Sequence, residues 1–227
     1  MNIVTTDKKK VVPMKKTWES KAALYELLAK SFLFTQLEIV EALVSGEYSE
    51  ALIELLEING LQAECAGVEI DRLDNYKGAS SDEVLHTLRR EYTRLYIGTR
   101  SPIIFPYAGA WYAEKKGQKP LLFVGKESMA IERFMRACGI VQAEGTNEPL
   151  DHIGSMLEFL MHLCMLKKGL VQPPDGIEIP ENAYEDFYEK HFSEFSQEFA
   201  AKTIDLNKED FFVVAAQVLA VLPDKPL

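Results

Sequence analysis

The segment Glu148-Pro149-Leu150-Asp151-His152 gathers two carboxylates and an imidazole around a proline, directly before an apolar stretch. Proline suits the first turn of a helix because its φ is preset and its missing N–H has no partner there. The segment therefore predicts a helix from about Pro149 to Lys168, with Asp151 in the first turn, where the helix dipole favours a carboxylate. A dipole role for Asp151 and a hydrogen-bonded core position for His152 would each explain these residues without any binding function.

Helical periodicity divides this predicted helix into two faces. With 3.6 residues per turn, the polar face carries Asp151, Ser155, Glu158 and His162, and the apolar face carries His152, Met156, Phe159, Leu160 and Leu163. Asp151 and His152 are therefore expected on different sides of the helix.

Glu158 and His162 are four residues apart, so a helix would direct both side chains towards one metal ion. Catalytic zinc sites generally use three protein ligands, and the sequence has neither an HExxH motif nor a second ExxH motif to complete the set. A helical metal-dependent hydrolase stays open as an alternative, with its third ligand unassigned.

Other catalytic signatures are absent from the sequence. It has no GxSxG elbow and neither of the phosphate-binding patterns GxxxxGK[ST] and GxGxxG. His162 and Cys164 are only two residues apart, so their side chains diverge on a helix. These absences favour a binding protein over an enzyme.

An earlier predicted helix ends in Glu91-Tyr92-Thr93-Arg94-Leu95-Tyr96, which alternates charged and aromatic residues. Glu91 and Arg94 can pair along the helix surface, an interaction that contributes only a few tenths of a kcal/mol. Alternatively, a carboxylate beside tyrosines can bind a guanidinium group of a peptide. Ser80 and Glu83 predict a capping box at the start of this helix, and Gly98 predicts its end.

Residues 99–125 lose helical periodicity and combine helix-breaking residues with aromatic ones. The helix-breaking residues are Pro102, Pro106, Gly109, Gly117 and Pro120, and the aromatic residues are Phe105, Tyr107, Trp111 and Tyr112. A plain solvated linker would carry fewer aromatic residues. We expect this segment to be a hinge that packs across the junction of two helical halves.

The remaining pattern is helical almost throughout and predicts an all-α fold, a compact bundle of about ten helices in two closely packed halves. Apolar residues recur at helical spacing at Leu24, Leu27, Leu28 and Phe32, and in an aromatic stripe at Tyr184, Tyr188, Phe192, Phe195 and Phe199. We predict a basic N-terminal arm over 1–16, helical halves over 17–98 and 126–227, and the linker over 99–125.

Composition narrows the possible partners and compartment. The 227-residue chain is 47% apolar and has a formal net charge of -10, which disfavours nucleic acid and anionic lipid. Its three cysteines form no disulfide pattern. The apolar stretch from Phe211 to Leu222 is shorter than the roughly 20 residues of a membrane span and predicts a core helix. Since the basic arm also lacks the features of a secretion signal, we expect a cytoplasmic protein.

Three sequence blocks together resemble the TorD/DmsD family: Glu91 to Tyr96, Pro106-Tyr107, and Glu148 to His152. Their order and spacing match, and the helical pattern agrees from about Thr17 to Leu222. That family consists of cytoplasmic redox-enzyme maturation chaperones. The resemblance implies a single TorD-like domain that binds the twin-arginine signal peptide and the apo-form of a molybdoenzyme catalytic subunit, assists cofactor insertion and delays export until maturation.

The resemblance also implies a set of residues that bind the signal peptide or client. Asp151 and His152 match the family's most distinctive pair, and Glu148 and Pro149 belong to the same motif. The other members of the set are Glu91, Tyr92, Arg94, Tyr107, Trp111 and Tyr112. Glu158 joins the set on physical grounds, because with Asp151 it offers an acceptor for a guanidinium group. Ala108 and Gly109 depart from the acidic-serine pattern of the family's interdomain segment.

Further expectations concern ligands and assembly. The resemblance implies no catalytic activity and no cofactor, although weak binding of guanine nucleotide is possible, and it fits a monomer or homodimer without membrane insertion. An assembly factor for a reductase that is not exported, or that has a variant leader, is the second alternative. From the two helix faces we predict that Asp151→Ala weakens client binding with little loss of stability, whereas His152→Ala lowers both.

Overall fold

The computed structural model describes residues 17–62, 67–118, 125–140 and 149–222. Within these ranges the regular secondary structure is helical, with no β-strand and only one isolated β-bridge. The predicted all-α class is therefore confirmed. The predicted basic arm over 1–16, Cys65 and Glu148 lie outside the described residues.

Ten α-helices occur in the described ranges. They are α1 Trp18–Phe32, α2 Leu37–Ser45, α3 Glu47–Ile58, α4 Ser81–Tyr92, α5 Ala108–Lys115, α6 Lys126–Ala137, α7 Ile153–Lys168, α8 Ala183–Phe187, α9 Ser193–Leu206 and α10 Asp210–Ala220. A 3-10 helix covers Ile70–Tyr76, and π-helical turns cover Thr93–Ile97 and Tyr188–Phe192. No helix in these ranges has both the length and the apolar character needed to cross a membrane.

Helix starts follow local hydrogen bonding, although not always at the predicted residues. At α1, the side chain of Thr17 accepts from the Ser20 N–H at 3.2 Å, and the Ser20 hydroxyl accepts from the Thr17 N–H at 3.0 Å. This reciprocal capping box satisfies two N–H groups that lack helical partners. Ser80 does precede α4, but its side chain makes no capping bond and is exposed, so the capping box predicted there is wrong.

Helices from both predicted halves, 17–98 and 126–227, contribute to one hydrophobic core. α1 packs along α7, and α10 packs against α9, the 3-10 helix and α1. Leu24, Leu28 and Phe32 of α1 are at most 1% exposed, as their spacing predicts. Eight residues of α10 are buried, which confirms the prediction of a core helix near the end of the chain.

The aromatic stripe near the C-terminus is buried along its whole length. Its members Tyr184, Tyr188, Phe192, Phe195 and Phe199 are each at most 2% exposed, which confirms them as core. The stripe runs through α8, the second π-helical turn and α9. A π-helical turn accommodates an extra residue in the helix, so two steps of four residues keep the rings on the side that faces the core.

The predicted linker contains a helix of its own. Residues 108–115 form α5, whose first four residues are buried. Before it, the chain leaves the first π-helical turn at Gly98, where φ is +67°. A Cβ atom at Gly98 would lie 1.9 Å from the Ser101 carbonyl oxygen, so only glycine fits this turn.

Candidate functional site

Residues 106–109 of the predicted linker pair with residues 151–153. The Ala108 N–H donates to the Asp151 carbonyl at 2.9 Å, and the Ile153 N–H donates to the Pro106 carbonyl at 2.7 Å. Tyr107 and His152 form an antiparallel bridge between these two bonds. The second and third sequence blocks are therefore joined directly through their backbones.

This pairing moves the start of α7 away from the predicted position. The backbone of His152 is extended, with φ -68° and ψ 139°, and its N–H closes a turn onto the Pro149 carbonyl at 3.1 Å. The helix consequently begins at Ile153, and the prediction of a start at Pro149 is wrong. Asp151 lies before the helix, so the dipole role predicted for it in the first turn is also wrong.

Asp151 is a buried hydrogen-bond acceptor, only 4% exposed. Its carboxylate accepts from the Ser128 hydroxyl of α6 at 2.6 Å and from the Gly109 N–H of α5 at 3.0 Å. Burial raises the pKa of Asp151, while these two hydrogen bonds act in the opposite direction. The carboxylate therefore ties α5 and α6 to the start of α7. The prediction that Asp151→Ala costs little stability assumes a side chain on the polar face of the helix. In the structure this side chain is buried.

Gly109 makes this close approach possible. A Cβ atom at this position would lie 1.9 Å from the Ser128 hydroxyl oxygen and 2.9 Å from the Asp151 carboxylate. Since real Cβ atoms essentially never approach that closely, any side chain at 109 would displace Ser128 or Asp151. The departure from the family pattern at Gly109 therefore belongs to the same hydrogen-bonded arrangement.

His152 caps α7 with its side chain and is 1% exposed. Its Nδ1 accepts from the Gly154 N–H at 3.1 Å, which assigns the proton of the neutral ring to Nε2. Nε2 lies 3.3 Å from the Tyr92 hydroxyl oxygen, and that hydroxyl donates to the Phe32 carbonyl at 3.3 Å. Burial lowers the pKa of His152 to about 3, so the ring is neutral near pH 7.

Asp151 and His152 engage different elements, but both lie before α7 and not on the two faces of a helix that the sequence predicts. Asp151 bonds to α5 and α6, whereas His152 contacts Tyr92 of α4, whose hydroxyl in turn donates to Phe32 at the end of α1. The ring of Tyr107 packs edge-on against the His152 ring, with centroids 5.3 Å apart. The first, second and third sequence blocks meet at His152 through Tyr92 and Tyr107.

Glu91 and Arg94 form the predicted ion pair, but in a larger network than a helix-surface pair. Glu91 is 6% exposed, and its two carboxylate oxygens accept from Arg94 Nε at 2.7 Å and Nη2 at 2.6 Å. The same carboxylate accepts from the Lys208 N–H at 2.9 Å, and Arg94 donates to the Leu206 carbonyl at 2.8 Å. Hydrogen bonding to Arg94 lowers the pKa of Glu91. The network ties the first π-helical turn to the α9–α10 connection.

Trp111 and Tyr112 connect α5 to the C-terminal half. Trp111 Nε1 donates to the Glu198 carboxylate at 2.7 Å, and the Trp111 ring lies 6.0 Å from the Phe195 ring. The Tyr112 hydroxyl donates to the Lys190 carbonyl at 3.3 Å. These contacts fix α5 on α9 and on the second π-helical turn.

Glu158 and His162 lie farther along α7, the former exposed and the latter half-buried. Among the residues that the structure describes, no group of three or more His, Cys, Asp or Glu side chains is placed to hold a metal ion. Pro149 is half-buried at the approach to α7.

Ser128 and Gly109, the two hydrogen-bond partners of Asp151, are not predicted as site residues by the sequence. Ser128 lies on an ordinary amphipathic helix, and nothing in its neighbours distinguishes it from a solvated serine. Gly109 stands among other glycines and prolines, where its close contact with Ser128 has no local signature. Both positions depend on tertiary contacts to Asp151.

The sequence of this chain is similar to a known protein family and to several known proteins. Residues 59–201 match the nitrate reductase delta subunit family. The chain is 22% identical over 142 residues to the chaperone protein TorD of Shewanella piezotolerans, covering 61% of this chain and 60% of that protein. It is 24% identical over 142 residues to the chaperone protein TorD of Shewanella pealeana, covering 61% and 58%.

A third relative is the chaperone protein TorD of Escherichia coli, which is 25% identical over 159 residues, covering 67% of this chain and 69% of that protein. The chain spans about 60% of the length of the two Shewanella relatives. The family match covers more than half of the chain and includes all three sequence blocks. The chain therefore belongs to the nitrate reductase delta subunit family, among the TorD/DmsD proteins that its sequence blocks resemble.

Proposed function

We propose that this chain is a cytoplasmic chaperone for the maturation of a molybdoenzyme, and that it acts by binding rather than by catalysis. The observation that carries the proposal is the match over residues 59–201, since it contains the three blocks that meet at His152. The matched relatives are named as chaperones.

In finer detail, the client is the apo-form of the catalytic subunit together with its twin-arginine signal peptide. Binding assists cofactor insertion and delays export until the cofactor is in place. A signal of this kind combines two guanidinium groups with an apolar stretch, which suits a partner that offers acceptors and apolar contact area. The formal net charge of -10 favours association with such a cationic segment.

The buried residues of the three blocks act in this proposal by shaping the surface above them. Phe34 is 40% exposed and packs edge-on against Tyr92, with ring centroids 5.5 Å apart. Met129 is 51% exposed and follows Ser128, the partner of Asp151. The network therefore supports apolar side chains that a client can contact, while Asp151 and His152 serve as positioning residues.

A second candidate function is the assembly of a reductase that is not exported or that carries a leader without a complete twin-arginine signal. The family description, nitrate reductase delta subunit, names a reductase and no signal peptide, which fits this candidate. Replacing the two arginines of a leader separates the two candidates, because only the first depends on them. Weak binding of guanine nucleotide stays a prediction for either candidate.

The test of the proposal is a calorimetric titration of the purified chain with leader peptides of molybdoenzyme catalytic subunits encoded near its gene. We expect saturable binding of at least one leader and weaker binding after its two arginines are replaced by glutamine. Absence of binding to every leader and to the corresponding apo-subunits would overturn the proposal.

A further inference from the structure

A cleft of about 640 Å³ opens between the C-terminal half of α7, the loop over residues 169–182 and the start of α8. Its apolar lining includes Leu163, Leu166, Pro173, Ile177, Ile179 and Pro180. Leu163 is ten residues beyond Ile153, or about 15 Å along the axis of α7. The cleft is therefore separate from the network around Asp151 and His152. Its volume lies within the roughly 300–1,000 Å³ of typical ligand sites.

The loop that forms one wall of the cleft is held against the end of α6. A Cβ atom at Gly139 would lie 2.7 Å from the Pro174 side chain and 3.3 Å from that of Ile177. The Ile177 N–H closes a turn onto the Pro174 carbonyl at 3.0 Å, and the Ala183 N–H does the same onto Pro180 at 3.0 Å. Because the wall is packed and hydrogen-bonded, the cleft is preformed.

Lys167 lines the cleft, and its positive charge is compensated by other groups of the chain. Lys167 Nζ donates to the Glu181 carbonyl at 2.5 Å and lies 3.4 Å from the Glu185 carboxylate. The same ammonium group lies 5.6 Å from the centroid of the Trp18 ring. Lys167 is therefore engaged with a carbonyl, a carboxylate and an aromatic face, and it adds little positive potential to the cleft.

The rim of the cleft is acidic. The loop over residues 169–182 contains Asp175, Glu178 and Glu181, all exposed, and no lysine or arginine. The carboxylates of Glu178 and Glu181, which line the cleft, form no ion pair within the described part of the chain. An apolar floor with uncompensated carboxylates at its edge complements a segment that is apolar and carries a positive charge.

We propose that this cleft binds an apolar segment of a client peptide, with a cationic side chain of that peptide against Glu178 and Glu181. The inference rests on the proposed function, which supplies a leader with arginines beside an apolar stretch. It adds a binding surface that lies away from the three sequence blocks. Apolar contacts with Leu166 and Ile179 supply affinity, and the two carboxylates select a cationic end.

The test uses the full chain and two synthetic peptides, one with two adjacent arginines before a run of leucine and alanine, the other with glutamines in place of the arginines. We expect Glu178→Gln/Glu181→Gln to weaken binding of the arginine peptide by about threefold to tenfold, as for two partly exposed ion pairs. The same variant should bind the glutamine peptide as the unmodified chain does. Ile179→Ser should weaken binding of both peptides.

Glu54→Gln/Glu57→Gln is the matched control, because these two exposed carboxylates of α3 have the same spacing and the same effect on net charge. If Glu178→Gln/Glu181→Gln and this control bind the arginine peptide with equal affinity, the proposal for the cleft is overturned, whereas the proposed chaperone function is unaffected. If the unmodified chain binds neither this peptide nor any leader, both proposals fail. Self-association that the cleft variant abolishes, without any change in peptide affinity, would assign the cleft to a second copy and also overturn the proposal.

Discussion

At the scale of single residues, Asp151 and His152 are neighbours in sequence but stabilise different parts of the molecule. Asp151 accepts hydrogen bonds from α5 and α6, and His152 caps α7 while contacting Tyr92. Each side chain is almost completely buried. Replacing either residue should therefore affect folding as well as any binding that depends on the surface above it.

Asp151→Ala should lower the free energy of unfolding by about 2–3 kcal/mol, because it leaves the buried Gly109 N–H and Ser128 hydroxyl without their acceptor. Asp151→Asn should cost less, since its amide oxygen can still accept. Urea denaturation of both variants measures the difference. A loss below about 0.5 kcal/mol for the alanine variant, typical of exposed positions, would contradict this account of Asp151.

His152 should make stability depend on pH. Burial lowers its pKa to about 3 in the folded chain, from the ordinary value of 6.5 that applies when the chain is unfolded, so folding favours the neutral form. The stabilisation is fully present above about pH 6.5 and is lost as the pH falls from there towards 3. At about 1.4 kcal/mol per pH unit, the loss between pH 6.5 and 5 is roughly 2 kcal/mol.

His152→Asn is the matched comparison, because asparagine can also cap a helix through its side-chain oxygen but does not titrate in this range. The difference in unfolding free energy between the unmodified chain and this variant should shrink by roughly 2 kcal/mol from pH 6.5 to 5. The half-buried His162 and His191 are common to both proteins and cancel in the comparison. A difference that is constant with pH would show that His152 is not a buried neutral group.

At the scale of elements, the connections between helices decide how the three sequence blocks meet. The first π-helical turn continues α4 to Gly98, and Glu91 and Arg94 bind it to the α9–α10 connection. Residues 106–109 then reach the start of α7. Each of these junctions depends on a side chain or backbone group from a distant part of the chain.

Glu91→Gln should destabilise the chain by about 1.5–3 kcal/mol, because it weakens charge-assisted hydrogen bonds from Arg94 and the Lys208 N–H. Glu83→Gln, at an exposed position of the same helix, is the control and should change stability by less than about 0.5 kcal/mol. Thermal and urea unfolding measure both variants. If Glu91→Gln and Glu83→Gln were equally stable, the hydrogen bonds of Glu91 with Arg94 and the Lys208 N–H would stabilise the fold no more than an exposed ion pair does.

The sequence predicts elements that depend on local periodicity better than it predicts these junctions. The core faces of α1 and α10 and the aromatic stripe follow from residue spacing. The start of α7 does not, because the bridge between Tyr107 and His152 overrides the preference of Pro149 for a first helical turn. α5 is short and lies among prolines and glycines, so its burial against α9 stabilises it more than its local pattern does. The contact between Gly109 and Ser128 has no sequence signal at all.

At the scale of the whole molecule, helices from both predicted halves share one core, in which α1 packs along α7. The hydrogen bonds of Asp151 and His152 lie at the start of α7, and the cleft lies near the end of the same helix. The acidic loop over residues 169–182 forms one wall of the cleft. A client that contacts both regions would span about 15 Å along α7, a distance within reach of a short peptide. The proposed function therefore requires a preformed surface rather than a catalytic centre.

The most direct test of the chaperone proposal is the titration of leader peptides of molybdoenzyme catalytic subunits, performed alongside the apo and cofactor-loaded subunits. We predict saturable binding of one leader and of its apo-subunit, weaker binding of the leader after its arginines are replaced by glutamine, and little binding of the cofactor-loaded subunit. Equal affinity for the apo and loaded subunits, or no binding to any leader or apo-subunit, would contradict the proposal.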